Sequence, residues 1–157
     1  MLVIVYIDKS PSADSRTAKG NVSFEEFSKS TDMHREDVKN MCYMLADMLV
    51  KAGDEHDWTK KETEKEFYKV FCTKKGEAFK RDPWYKYHTH TERHHLNAYA
   101  PPDVNLIDVL EMIADCCCAG MARSGKVYDI DIDPDILMKA FKNTIKLTLD
   151  SIEVNDD

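Results

Sequence analysis

Residues 33–52, MHREDVKNMCYMLADMLVKA, decide the fold class. Four apolar residues recur there at the three- and four-residue spacing of an α-helix: Val38, Met41, Leu45 and Leu49. Thr31 or Asp32 can cap the start of this helix, and Gly53 is suited to its end. Phe24 and Phe27 are expected to anchor a short separate turn before it. The stretch therefore predicts a long amphipathic helix over residues 33–52.

Similar patterns predict further helices along the chain, over residues 59–80, 84–99, 104–122 and 135–150. Thr59 and Glu62 fit a capping box at the start of the first of these. The apolar run over residues 2–7 reads as a short buried strand, and residues 8–22 as a loop. We therefore predict a mainly α fold: a single helical domain of about five to six helices with one short N-terminal strand.

The expected division of the chain is an N-terminal strand and loop segment over residues 1–30, followed by the helical domain over residues 31–153. The length of 157 residues fits one domain of ordinary size. A net charge of -7 argues against duplex nucleic acid or an anionic membrane as the main partner, because both need a basic surface. It does not exclude a small anionic substrate.

Cysteine usage indicates a reducing compartment. Three of the five cysteines are consecutive, Cys116 to Cys118, and adjacent residues on a helix make a poor disulfide framework. The opening apolar run is too short for a signal peptide core or a membrane span. We therefore expect a cytoplasmic protein with no membrane partner.

All six histidines fall between His34 and His95. His34 extends the apolar stripe of the first helix, where a histidine needs a partner, and a carbonyl in the core would be the ordinary one. Asp115 lies roughly opposite the apolar face of its own helix, so it points either to water or into a cleft. Mixed histidine and carboxylate donors suit divalent metal ions.

The most informative stretch is His56-Asp57-Trp58-Thr59-Lys60. Adjacent His and Asp side chains can both reach one ion at a helix end, and a lysine three residues after the Asp can contact a phosphate. The His-Asp dipeptide alone is common, and taken alone it is better explained by a solvated loop between two helices.

The order His34, then His56-Asp57, then a distant Asp115 resembles the H…HD…D pattern of the HD-domain superfamily of all-helical, metal-dependent phosphohydrolases. Residues 56–60 match the HDxxK form of that motif. The chain is also similar to an uncharacterised phage and bacterial HD-like family through Arg93-His94-His95 and the segment 106–115. The resemblance covers residues 32–150. It departs from the family at Cys116–Cys118, where a large residue is expected, and at His90, where no ligand is expected.

The resemblance implies a site for one or two divalent ions, of Mn, Mg, Fe, Ni, Co or Zn. Its implied ligands to the first ion are His34, His56, Asp57 and Asp115. His88 and His94 would complete a second ion, with Asp57 bridging. A water acidified by the metal would attack phosphorus.

Further roles follow from the same resemblance. Lys60 and Arg93 are candidate phosphate contacts, and His95 would contact the substrate or support a ligand. Glu111 would orient a ligand histidine, and with Asp57 and Lys60 it completes the implied catalytic set.

Three functions remain open from the sequence. The first is hydrolysis of a phosphoester or phosphoanhydride of a small nucleotide, in the host cytoplasm if a phage encodes the chain. The second is a phosphodiesterase for a cyclic or oligonucleotide signal. The third is a non-catalytic module that binds a nucleotide or a protein. A homo-oligomer is compatible with all three, and a structural zinc site between residues 88–95 and Cys116–Cys118 is an alternative for the histidines.

Overall fold

In a computed structural model the chain is described over residues 3–9 and 20–155. The elements in chain order are β1 (Val5–Asp8), α1 (Phe24–Asp54), α2 (Trp58–Glu62), α3 (Glu64–Thr73), α4 (Glu77–Lys80), α5 (Pro83–Thr91), α6 (Leu106–Ser124), α7 (Pro134–Asp150) and β2 (Ile152–Asn155). The prediction of a mainly α fold with a short N-terminal strand is confirmed. Most of the predicted loop over residues 8–22 lies outside the described residues.

The chain divides into two compact units, one formed by residues 1–48 and 145–157 and the other by residues 49–144. The predicted boundary between residues 30 and 31 stays a prediction. In the first unit β1 and β2 form a two-stranded parallel sheet with Val5 opposite Ile152 and Asp8 opposite Asn155. The second strand was not predicted. No helix in the described part of the chain has the apolar length needed to cross a bilayer.

Helix α1 begins at Phe24, well before the predicted start at residue 33. The cause is a capping box, in which Ser23 Oγ accepts from the Glu26 N–H and the Ser23 N–H donates to the Glu26 carboxylate. The Thr31 hydroxyl does not cap a helix, because it donates to the Phe27 carbonyl one turn earlier. Phe24 and Phe27 therefore belong to the helix itself.

The predicted helix over residues 59–80 is divided into α2, α3 and α4. Thr63 has non-helical dihedral angles between α2 and α3, and Gly76 adopts a positive φ of 54° before α4. The predicted Thr59–Glu62 capping box is wrong. Asp57 is the residue at the N-cap position of α2, and the buried Thr59 hydroxyl donates to Glu92 instead of interacting with Glu62. A tertiary hydrogen bond has replaced the local one.

The second unit has a hydrophobic core of Leu96, Val104, Val109, Met112 and Ala140. Helix α6 contributes two of these residues, and partly buried Leu106 and Cys116 pack against the same core. Asn105 and Asp108 form a capping box at its start, and Gly125 ends it at a left-handed φ of 68°. The core therefore fixes the helix that carries Glu111 and Asp115.

The predicted helix over residues 84–99 ends earlier, at Thr91, because Glu92 is extended.

Candidate metal centre

His56 and Asp57 lie in the turn between α1 and α2. Asp57 has a φ of 57°, a left-handed conformation that aspartate tolerates better than most residues. In this turn His56 Nε2 lies 3.4 Å from Asp57 Oδ2 and 3.6 Å from Asp115 Oδ1. Three of the residues predicted to share an ion are therefore brought together.

Glu111 and Asp115 lie one turn apart on the same face of α6. Glu111 Oε1 accepts a hydrogen bond of 2.9 Å from His56 Nδ1. The same oxygen lies 2.9 Å from His94 Nδ1, although the angle there falls short of a hydrogen bond. About a third of the Asp115 side chain is exposed, and its carboxylate faces this cluster. Of the two predicted alternatives, water or a cleft, the structure has the cleft.

His88 and His94 point their Nε2 atoms at the other oxygen of Asp57. His88 Nε2 lies 3.4 Å and His94 Nε2 3.8 Å from Asp57 Oδ1. Both imidazoles are almost completely buried. His95 joins them, because its Nε2 lies 2.8 Å from His88 Nε2. Asp57 thus faces His56 on one side and a group of three histidines on the other.

Several of these buried atoms have no hydrogen-bond partner among the residues that the structure describes. They are Asp57 Oδ1 and both ring nitrogens of His94. Buried polar atoms are nearly always paired, and an exception calls for a missing ion, water or function. The residues present therefore fit a divalent cation, which takes lone pairs from neutral imidazoles and carboxylates.

Two groups of donors are close enough to hold an ion, with all donor atoms within 4.8 Å of one another: His56, His94 and Glu111 in one, and Asp57, His88 and His95 in the other. In the first group Glu111 already contacts both imidazoles at Nδ1. It serves better to orient the two rings, so that their Nε2 atoms face Asp57.

Carboxylates surround His56 and shift its protonation. Interactions with them raise the pKa of His56 to about 11, in decreasing order from Asp115, Asp57 and Glu111. Burial acts to raise the pKa of Glu111, but His56 and His94 outweigh it and lower the pKa to about 2. A cation that binds His56 must therefore displace a proton.

His88 and His95, on the other side, are neutral. Burial, reinforced by the neighbouring His95, lowers the pKa of His88 to about 3. Burial, reinforced by His94, lowers the pKa of His95 to about 4. Burial acts to raise the pKa of Asp57, but His56 and Lys60 outweigh it, so the pKa is lowered. A carboxylate beside neutral imidazoles is the ionisation state that metal binding requires.

The two predicted phosphate contacts are both engaged with carboxylates. The Lys60 ammonium pairs with Asp57 Oδ2. Arg93 donates from Nε and Nη2 to the Asp108 carboxylate, at 2.7 and 2.9 Å, and from Nη1 to Asp103. Because the Asp108 side chain is buried and binds both nitrogens, Arg93 has a structural partner already. Lys60 is the predicted phosphate contact that touches the metal donors.

His34 lies on α1 in the first unit, with an exposed side chain. Its participation in the same site stays a prediction. His90 lies outside the donor groups: its Nδ1 donates to the Lys86 carbonyl and its ring stacks on Tyr99. No cysteine belongs to either donor group among the described residues, so the structural zinc alternative gains no support.

Two residues of the cluster were missed from the sequence. Thr59 and Glu92 are buried beside His88, with Thr59 Oγ1 2.7 Å from His88 Nδ1 and 2.6 Å from Glu92 Oε1. Thr59 lies within the His-Asp-x-x-Lys stretch, and this position was the one sequence signal that could have identified it. Glu92 immediately precedes Arg93, and nothing in the pattern separates it from an exposed charge.

Fold and site together define a mainly helical protein with a histidine and carboxylate cluster suited to divalent metal. The chain belongs to DUF5662, a family of unknown function, whose model matches residues 23–151. The matched range contains every predicted ligand from His34 to Asp115. No curated protein and no solved structure matches the chain.

Proposed function

We propose that this protein is a metal-dependent phosphohydrolase that acts on a phosphoester or phosphoanhydride of a small nucleotide. The observation that supports it best is the convergence of Asp57 Oδ1 with the Nε2 atoms of His88 and His94. In the described part of the chain, neither Asp57 Oδ1 nor His94 Nε2 has a hydrogen-bond partner. The HDxxK order of residues 56–60 supports the same chemistry.

Asp57 has the central role, because its two oxygens face different donors. Oδ2 faces His56 and Oδ1 faces His88 and His94. A carboxylate placed between two donor sets can bridge two ions. When bound, divalent ions supply a Lewis acid for a phosphoryl oxygen and acidify a water molecule.

Lys60 is the substrate-binding residue of the proposal. Its ammonium rests on Asp57 Oδ2. Positive charge bound at Asp57 weakens that ion pair and leaves the ammonium to contact a phosphoryl oxygen as a point charge. Glu111 holds the His56 ring through Nδ1, which fixes the nitrogen that faces the reacting group.

The test combines metal content with turnover. Untagged protein is incubated with manganese or nickel, desalted and measured by metal mass spectrometry, beside Asp57→Asn and the exposed control Asp131→Asn. We expect one or two equivalents in the wild type and in Asp131→Asn, and none in Asp57→Asn. The products formed from nucleoside monophosphates, nucleoside triphosphates and cyclic dinucleotides are then separated and identified by liquid chromatography, because opening a cyclic dinucleotide releases no free phosphate.

The outcomes separate the candidate functions. Release of phosphate from monophosphates or triphosphates supports the proposal, and opening of cyclic dinucleotides alone would favour the phosphodiesterase. Bound metal with no turnover on any substrate would favour a non-catalytic binding module. A wild type that takes up no metal would overturn the proposal.

A further inference from the structure

The Thr59 hydroxyl lies between His88 and Glu92 in the interior of the second unit. Its oxygen is 2.7 Å from His88 Nδ1 and 2.6 Å from Glu92 Oε1, and the Thr59 N–H donates to the same Glu92 oxygen at 2.8 Å. Thr59 is completely buried, and His88 and Glu92 are nearly so. Water therefore does not compete for these bonds.

The direction of each bond follows from the donors available. A carboxylate only accepts, so Thr59 spends its single hydroxyl proton on Glu92. The hydroxyl oxygen must then accept from His88, which places a proton on His88 Nδ1. A neutral imidazole carries one proton, so His88 Nε2 is left with a lone pair. That nitrogen is the one that faces Asp57 Oδ1.

We propose that Thr59 and Glu92 are positioning residues that hold His88 in the tautomer whose Nε2 carries the lone pair needed to bind a metal. The inference rests on the proposed function for the identity of the ligand, but the tautomer itself does not depend on metal. Carboxylates and hydroxyls that fix ligand histidines in this way commonly change metal affinity by about tenfold to a hundredfold.

The neighbouring contact with His95 agrees with this assignment. The Nε2 atoms of His88 and His95 are 2.8 Å apart, a distance that requires one proton between them. If His88 Nε2 is bare, the proton belongs to His95, which then donates to His88 until a cation takes that lone pair. The hydrogen bonds are then all donated in one direction, from His95 to His88, from His88 to Thr59 and from Thr59 to Glu92.

Aromatic packing fixes the plane of the His88 ring, as the hydrogen bonds with Thr59 and Glu92 fix the position of its proton. Trp84 stacks on His88 with ring centroids 5.2 Å apart and planes 8° apart, and Phe67 stacks on the other side of Trp84 at 4.4 Å. Trp84 Nε1 donates to Thr63 Oγ1 at 2.6 Å, which fixes the indole in turn. Both the rotation and the tautomer of His88 are thus set before any ligand arrives.

The first experiment reads the tautomer directly. Long-range ¹H–¹⁵N correlation spectra are recorded on ¹⁵N-labelled protein in EDTA, with His88 assigned from a His88→Gln sample. We expect the Nδ1-protonated form in the wild type, in Thr59→Ser and in the exposed control Thr73→Val. Thr59→Val lacks the acceptor and should give a mixture or the other tautomer.

The second experiment follows metal binding by titration calorimetry with manganese. We expect Thr59→Val to weaken the cation step that involves His88 by about tenfold to a hundredfold, and Thr59→Ser to restore it. Glu92→Gln should weaken it as well. Unfolding midpoints in EDTA reveal any variant that merely fails to fold, and Thr59→Ser keeps the test usable in that case.

The inference is overturned if wild-type His88 carries its proton on Nε2. It is also overturned if Thr59→Val binds manganese as the wild type does, or if Thr59→Ser fails to restore binding. The expected tautomer in a wild type that binds no metal would overturn the proposed function, and with it the ligand role of His88, while leaving the hydrogen-bond relay in place.

Discussion

Two carboxylates of α6, Asp108 and Glu111, belong to two different clusters of polar side chains. The clusters differ in how many of their buried polar atoms have hydrogen-bond partners. Asp108 accepts from Arg93 Nε and Nη2 and from the Asn105 N–H, so its oxygens are fully engaged. Glu111, one turn later, belongs to the histidine cluster, in which Asp57 Oδ1 and His94 Nε2 have no hydrogen-bond partner within residues 3–9 and 20–155. The first cluster is complete with protein groups alone, and the second is not.

The Asp108 cluster stabilises the fold, whereas the cluster around Asp57 and Glu111 has donors suited to a ligand. A paired buried charge caps a helix and joins two segments at little net cost. An unpaired buried carboxylate oxygen beside imidazole lone pairs destabilises the fold unless something binds there. Variants of the two clusters should therefore fail in different assays.

The largest effect is expected for Asp57→Asn. An amide cannot replace a carboxylate that faces two sets of donors, so the affinity for manganese should fall by more than about a hundredfold, beyond the range of changes outside the ligand shell. Titration calorimetry measures this, with Asp131→Asn as the matched control. Manganese binding to Asp57→Asn at wild-type strength would remove the distinction between the clusters.

Asp108→Asn should show the reverse pattern. It places an amide against the Arg93 guanidinium and weakens the capping box of α6, and because Arg93 is partly exposed we expect a loss of about 2 kcal/mol in the free energy of unfolding. Urea unfolding in EDTA measures it. Manganese affinity should stay unchanged, and a parallel loss of affinity would show that the two clusters act as one.

Glu111→Gln tests the residue that orients two histidines. The amide still occupies the space but lacks the negative charge that faces Nδ1 of both His56 and His94, so manganese affinity should fall by about tenfold. The same titration measures it, with the exposed Glu66→Gln on α3 as the control. An unchanged affinity would mean that Glu111 has no part in holding the rings.

The smallest effect is a pH dependence of binding. The pKa of His56 is raised to about 11, so His56 is protonated at neutral pH and the cation must displace that proton. Affinity for manganese should therefore rise with pH, by up to about tenfold per unit below pH 11, since one proton is released. Calorimetry in buffers of different ionisation enthalpy counts the protons, and a count of zero at pH 7 would contradict this charge state.

The sequence predicted the helical class and several residues of the observed donor cluster, and its failures have physical causes. The HDxxK stretch identified His56, Asp57 and Lys60 because local order is visible in a sequence. The periodicity of α6 placed Asp115 away from the core, but whether a cleft lies there depends on His56, far away in the chain. Thr59 and Glu92 meet across 33 residues, and no local pattern reports such a contact.

Two errors in the predicted elements are of different kinds. The early start of α1 was readable, because Ser23 and Glu26 have the spacing of a capping box. The division of the helix over residues 59–80 was harder to read, since Thr63 leaves the helix with its hydroxyl bonded to Trp84. Tertiary partners decide such breaks, and helix propensity does not.

The parallel pairing of β1 with β2 has a consequence for biosynthesis. The two strands are joined by partners 147 residues apart, as Asp8 and Asn155 illustrate, so β1 leaves the ribosome long before its partner exists. Until β2 has been translated, the nascent chain exposes an unpaired strand edge, which is a surface that chaperones and aggregating chains recognise. A product truncated before Ile152 would lack β2 and leave Val5–Asp8 without its strand partner.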